Sequence, residues 1–151
     1  MAIKLCNALL TAQGAAVISA LKGGSLNLYS TAGQARPVPT GSSDGTFTAA
    51  SGRLISIPLS SADPVAGTID TGGLPITVTV ATPAGTTVSG AGADASWYAL
   101  LTSGGALVAT GSVGTIATGT DDLMIASTYL ANGATFQLAA GAGTFVHKIT
   151  R

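Results

Sequence analysis

The side chains that could perform acid–base or metal chemistry are few and lie far apart in the sequence. The chain has one histidine, His147, and one cysteine, Cys6, near opposite ends. Nucleophilic catalysis needs a base beside a nucleophile, and zinc needs several ligands at chelating spacing. Strand alternation places His147 with Phe145 and Ile149, which favours a packed structural histidine. Cys6 is predicted to be a small buried hydrophobe, so we predict no catalytic, cofactor-binding or metal-binding residue.

Two adjacent acids, Asp121 and Asp122, are the next candidates for chemistry. At the start of a strand they would point to opposite sides, whereas glycoside hydrolysis needs two carboxyl groups that flank one bond. A turn or the start of a strand is therefore the favoured interpretation. A calcium ion held by this pair and by backbone carbonyls is the alternative, although the alternating acids of an EF-hand loop are absent.

Trp97 and Tyr98 form the third candidate, because exposed aromatic rings on a β-scaffold can stack on sugars. Adjacent residues of a strand face opposite sides, so only one of the two rings can lie on a given surface. Aromatic residues make up only 5% of the chain, whereas a carbohydrate-binding module usually presents several. We therefore predict that Trp97 fills the core and that Tyr98 lies outward or at an interface.

Charge is scarce and unevenly distributed along the 151 residues. Only 8% of residues are charged, against roughly 25% in a typical domain, and 46% are hydrophobic. Residues 54–146 contain aspartates but no lysine or arginine. All six aspartates of the chain lie in turn-like sequence contexts, so solvated turn residues are the favoured interpretation. The alternative is a molecule with a basic end and an acidic body that docks on an acidic partner in a fixed orientation. The predicted partner contacts are Lys4, Lys22, Arg36, Arg53, Tyr98, Lys148 and Arg151.

The same composition argues against several other classes of protein. Six scattered basic residues without interleaved aromatics do not make a nucleic-acid surface. The apolar stretches are shorter than the roughly 18 residues of a membrane span. A single cysteine excludes an intrachain disulfide and favours assembly inside a cell.

Hydrophobic periodicity predicts an N-terminal helix followed by strands. Apolar residues recur at helical spacing over residues 4–22, and Gly23-Gly24 supplies a helix stop. Alternating strands follow, separated by a long loop at about residues 31–46 and by Gly-rich hairpin signals that include Asn132-Gly133. Pro58 marks one strand as an edge or bulged strand. We predict a single all-β domain over residues 1–151, an antiparallel β-sandwich or jelly roll over 25–150 behind a short amphipathic helix.

Three stretches together resemble small virion proteins of tailed bacteriophages, of the capsid cement or decoration type. They are NALLTAQGAAVISALKGGSLNLYS (7–30), ASWYALLTSGGALVATGSVGT (95–115) and DDLMIASTYLANGATFQL (121–138). The resemblance covers most of the chain and is weakest over residues 31–75. It implies a non-enzymatic protein, without cofactor, that binds the outer surface of the major capsid protein shell and bridges neighbouring capsomers.

The resemblance also implies a location and further partners. The protein would reside in the virion capsid, after assembly in the host cytoplasm, and would associate with itself as a homodimer or another homo-oligomer. A phage tail or baseplate protein is the first alternative. A carbohydrate- or receptor-binding β-module that uses Trp97 or Tyr98 is the second.

Overall fold

The chain is built mainly from β-strands, as the periodicity predicts. The computed structural model describes residues 12, 15–16, 19–31, 35–36, 51–59, 67–68, 76–79, 86–117, 119, 121–137 and 144–147. The strands are β1 Ser25–Tyr29, β2 Arg53–Pro58, β3 Gly67–Thr68, β4 Ile76–Thr79, β5 Thr86–Thr87, β6 Ala93–Asp94, β7 Trp97–Leu101, β8 Leu107–Thr115, β9 Leu123–Ile125, β10 Tyr129–Leu130, β11 Thr135–Phe136 and β12 Thr144–His147.

The predicted N-terminal helix is seen at its C-terminal end. Ala12, Ala15, Ala16 and Ser19–Leu21 are helical. Gly23 adopts a φ of +66°, which a glycine reaches without strain, and the Gly24 amide donates to the Leu21 carbonyl over 3.0 Å. The predicted stop at Gly23-Gly24 is therefore confirmed. Cys6, the predicted start of the helix and most of the predicted 31–46 loop lie outside the described residues.

A five-stranded sheet in the order β2-β1-β7-β8-β9 forms the centre of the structure. The pairs β2–β1, β1–β7 and β7–β8 are antiparallel, whereas β8–β9 is parallel, so the all-antiparallel prediction fails at this last pair. Because Pro58 has no amide hydrogen, β2 suits the edge position predicted for it. Shorter pairings join β10 to β6, β11 to β5, and β12 and β3 to β4.

The β7–β8 hairpin forms where two apolar runs flank a Gly-Gly turn. The Thr102 amide donates to the Ala106 carbonyl over 2.9 Å, and the Ala106 amide donates to the Thr102 hydroxyl over 3.1 Å. Gly105 has a φ of +81°, in the left-handed region that favours glycine. These local bonds close the turn, and the register shifts once, between Leu100 and Leu101, before the regular pairing of β7 with β8.

Both faces of the central sheet are covered at β1 and β7. Leu26, Leu28 and Leu100 belong to the main core cluster, which lies on one face. Tyr29 and Trp97 form a smaller cluster with Ala99 and Leu101, whose places in the strand alternation put them on the opposite face. This double burial explains why nearly every residue of β1 and all of β7 are buried.

The predicted Asn132-Gly133 hairpin is wrong as a strand pairing, although a turn forms there. Gly133 has a φ of +79°, as a turn glycine should. The flanking strands β10 and β11 do not pair with each other, because β10 pairs with β6 and β11 pairs with β5. The turn instead contacts Val88, the residue after β5: the Gly133 amide donates a hydrogen bond to the Val88 carbonyl over 3.0 Å.

Candidate functional site

Trp97 is a core residue, as predicted, and it is stacked on Tyr29. The two residues are directly opposite each other in the β1–β7 ladder. Their ring centroids lie 4.1 Å apart with planes 8° from parallel, and the Trp97 side chain is 1% exposed. Burial raises the pKa of the Tyr29 phenol, while a hydrogen bond with Asn27 and the charge of Arg53 act in the opposite direction. A sugar cannot reach the Trp97 ring in this arrangement.

Tyr98 also lies in the core, so its predicted outward position is wrong. Its side chain is 6% exposed and belongs to the main core cluster. The ring covers Gly111 on the neighbouring strand, where a methyl group would overlap it. Burial, and after it the charge of Asp122, raises the pKa of Tyr98 to about 12, while the charge of Arg36 acts in the opposite direction. The structure therefore removes Tyr98 as a partner contact and both rings as a sugar platform.

Asp122 joins the start of β9 to β8 through Ser112. The Ser112 amide and hydroxyl donate to the Asp122 carboxylate over 2.9 and 3.1 Å, and the Asp122 amide donates to the Ser112 hydroxyl over 3.1 Å. Asp121 lies against Gly114 on the same neighbouring strand. The predicted role at the start of a strand is confirmed. Within the described ranges, no three His, Cys, Asp or Glu residues form a group that could hold a metal ion.

Asp94 performs a similar structural task in β6. Its carboxylate accepts a hydrogen bond from the Thr128 hydroxyl over 2.9 Å, next to the β6–β10 pairing. Asp44, Asp63 and Asp70, which the sequence places in turns, lie outside the described residues. The carboxylates of Asp94 and Asp122 thus fasten neighbouring segments of the chain to each other.

The predicted basic contacts do not converge where the structure describes them. Lys22 precedes β1 and Arg53 pairs with Tyr29 at the other end of that strand, so the two exposed residues are separated by at least about 13 Å of strand. Arg36 lies 3.8 Å from the Asp122 carboxylate, with both side chains largely exposed. Lys4, Lys148 and Arg151 lie outside the described residues.

An apolar cleft that the sequence analysis missed lies beside β9. Ile116, Met124 and Tyr129 are 61%, 38% and 57% exposed and border a cleft of about 270 Å³. The cleft is lined without any charged side chain, by residues that include Val88, Leu130 and polar Gln137. Alternation between Leu123 and Ile125 could have identified Met124 as outward-facing. Nothing local marks Ile116 and Tyr129 as exposed.

This cleft is the candidate functional site among the described residues, and its lining suits contact with an apolar surface. It offers apolar side chains, one phenol and a few neutral polar groups. In the part of the chain that the structure describes, no helix is long and apolar enough to cross a membrane. No protein-family model matches the chain, and neither a curated protein nor a solved structure matches it.

Proposed function

We propose that this chain is a non-enzymatic capsid cement protein of a tailed bacteriophage. It binds the outer surface of the major capsid protein shell, bridges neighbouring capsomers and stabilises the expanded head. Its fold in this proposal is a β-sandwich of jelly-roll type. The observation that carries the proposal is the uncharged cleft with Ile116, Met124 and Tyr129 exposed around it. The sequence resemblance to phage virion proteins supplies the identity of the partner.

The chemistry of such a protein is surface contact. An exposed aromatic ring and two aliphatic side chains gain free energy when a partner covers them, and aromatic residues are enriched at protein interfaces. Each contact is small, but a shell repeats it many times and a bridging molecule holds two sites at once. The low content of charged residues leaves little repulsion against close packing on the shell.

The location and copy number of the protein in purified particles test the proposal. We expect density for this chain on the outer capsid surface between capsomers, in an electron-microscopy map. We also expect hundreds of copies per particle, in proportion to the major capsid protein. A handful of copies confined to the tail or baseplate would overturn the cement proposal in favour of the tail alternative.

A variant of the cleft tests which surface touches the shell. Tyr129→Ala removes an aromatic ring that is 57% exposed at the cleft and should weaken binding to empty capsids at least tenfold. Ser103→Ala changes an exposed residue in the β7–β8 turn, away from the cleft residues, and should bind as the unaltered protein does. Capsids decorated with the Tyr129 variant should release DNA at a lower temperature. Equal binding by both variants would contradict the assignment of the cleft.

The basic residues predicted to face an acidic partner need a separate measurement. Lys22→Glu and Arg53→Glu reverse two exposed charges at opposite ends of β1. If charge steers docking, these variants should bind the shell more slowly at low salt, and the difference should shrink as salt screens the interaction. Binding rates that stay equal at low salt would limit the contact to the apolar cleft.

A further inference from the structure

We propose that β9 is a self-association edge, at which two copies of this chain pair antiparallel across a twofold axis through Met124. The resulting sheet would continue from one copy into the other. The inference rests on the backbone and charges of β9, and it does not depend on the identity of the shell partner. It assigns a surface to self-association, which the sequence alone could not locate.

The backbone of β9 has hydrogen-bonding groups directed away from its sheet. Among the described strands, β9 has a neighbour on one side only, β8. The Ile116 amide donates to the Ile125 carbonyl over 3.1 Å, so the peptide groups of Ile125 face β8. Successive residues of a strand direct these groups to alternate sides, which turns the N–H and C=O of Met124 outward. An edge of this kind is a template for another strand.

The side chains of β9 leave that edge accessible and apolar. The side chains of Leu123 and Ile125 are buried, at 1% and 4% exposure, whereas the side chain of Met124 is 38% exposed. Natural proteins commonly protect an exposed edge with lysine, proline or a bulge. The segment Leu123–Ile125 contains no lysine and no proline, and its pairing with β8 runs without a register shift. Within Leu123–Ile125, then, neither a lysine, a proline nor a bulge obstructs pairing, and the short length of the strand is what limits it.

The charges at the start of β9 favour an antiparallel second copy. Pairing about Met124 places Asp122 of one copy opposite Ala126 of the other, and Asp121 opposite the exposed Ser127. The two acidic pairs then lie at opposite ends of the new ladder. A parallel arrangement would place like charges side by side, which is destabilising. An antiparallel twofold arrangement thus provides hydrogen-bond partners for the outward-facing peptide groups of Met124. It also keeps the aspartate pairs of the two copies apart.

The contact is small, and this sets its expected strength. β9 is three residues long, and Met124 is its one exposed apolar side chain. A stable interface uses roughly 20–30 residues and 800 Å² per partner, many more residues than β9 supplies. We therefore expect a dimer that forms reversibly at high protein concentration and that is strengthened wherever copies are held close together.

A disulfide placed on the proposed axis tests the register. In an antiparallel hydrogen-bonded pair the facing Cα atoms are about 5.5 Å apart, within the range that a disulfide spans. Met124→Cys, in a Cys6→Ser background that removes the single native thiol, should oxidise to a covalent dimer. Ala126→Cys is the matched control: it is exposed on the same segment, but the twofold axis does not bring its two copies together.

Rapid dimer formation by Met124→Cys, at least tenfold faster than by Ala126→Cys, supports the proposal. Equal rates would indicate random collision and overturn it. Sedimentation equilibrium gives an independent readout: the unaltered chain should dimerise with increasing concentration, and Met124→Lys should remain monomeric. A chain that stays monomeric at millimolar concentration, or a lysine variant that dimerises equally well, would also overturn it. If the unaltered chain stays monomeric but still binds capsids, the dimer proposal fails while the cement proposal stands.

Discussion

Replacing Trp97 tests the structural role of the aromatic stack. Trp97 and Tyr29 face each other across β1 and β7 and stack with centroids 4.1 Å apart, both fully buried. Trp97→Ala leaves a cavity and removes the partner of the Tyr29 ring, so we expect the free energy of unfolding to fall by about 3–5 kcal/mol. Because whole domains are stable by about 5–15 kcal/mol, this variant should be close to unfolding at physiological temperature.

A double-mutant cycle separates stacking from simple burial. Trp97→Leu, Tyr29→Leu and the double variant keep apolar side chains at both positions, and the coupling between the rings should be about 0.5–1.5 kcal/mol. Urea unfolding followed by far-UV circular dichroism measures it, since Trp97→Leu and the double variant lose the single tryptophan as a fluorescent reporter. Ser103→Ala in the exposed turn should stay within about 0.5 kcal/mol of the unaltered chain. The assigned packing would be refuted if Trp97→Ala lowered the free energy of unfolding by an equally small amount and the coupling between the two rings were zero.

Three further predictions concern the neighbours of Tyr98. Gly111→Ala places a methyl group where the Tyr98 ring lies and should cost roughly 1–3 kcal/mol in urea unfolding, and less in a Tyr98→Leu background. Asp122→Ala removes the acceptor of two Ser112 hydrogen bonds and should cost about 1 kcal/mol at neutral pH; an unchanged unfolding midpoint would contradict this. The folded-state pKa of Tyr98 is raised from 10.0 to about 12, so stability from the neutral phenol is complete below pH 10 and is lost as the pH rises towards 12. Thermal unfolding of Tyr98→Phe should show a smaller loss over that interval, and an identical loss would assign it to other groups.

Local sequence signals predicted the elements whose geometry is decided locally. The β7–β8 hairpin follows from two apolar runs around a Gly-Gly turn, and its closing bonds join Thr102 to Ala106. Pro58 lacks an amide hydrogen and indicated the edge position of β2. The glycine stop at Gly23 depends on a single positive φ. Each of these features is determined within a few residues of the signal.

Features that depend on distant segments were not predictable in this way. Strand alternation correctly indicated that Trp97 and Tyr98 face opposite sides of the sheet. It carries no information about whether one or both faces of the sheet are covered by other parts of the chain. The sequence predicted the turn at Asn132-Gly133. It did not predict the pairing of the flanking strands, because their partners are distant in sequence, as in the pairing of Tyr129 with Asp94. The exposure of Ile116 and Tyr129 likewise depends on which segments meet around β9. No window of sequence contains that information.

The double burial of the central sheet limits where this chain can touch a partner. At β1 and β7 neither face of the sheet is available, because their side chains are buried on both sides. The described large apolar side chains that remain exposed lie instead at Ile116, Met124 and Tyr129, near the edge formed by β9. Because Met124 also borders the cleft, a twofold axis at Met124 would bring the clefts of the two copies next to each other. Self-association at the edge and shell contact at the cleft would then join two sites in one bridging unit, which is the arrangement that a cement protein requires.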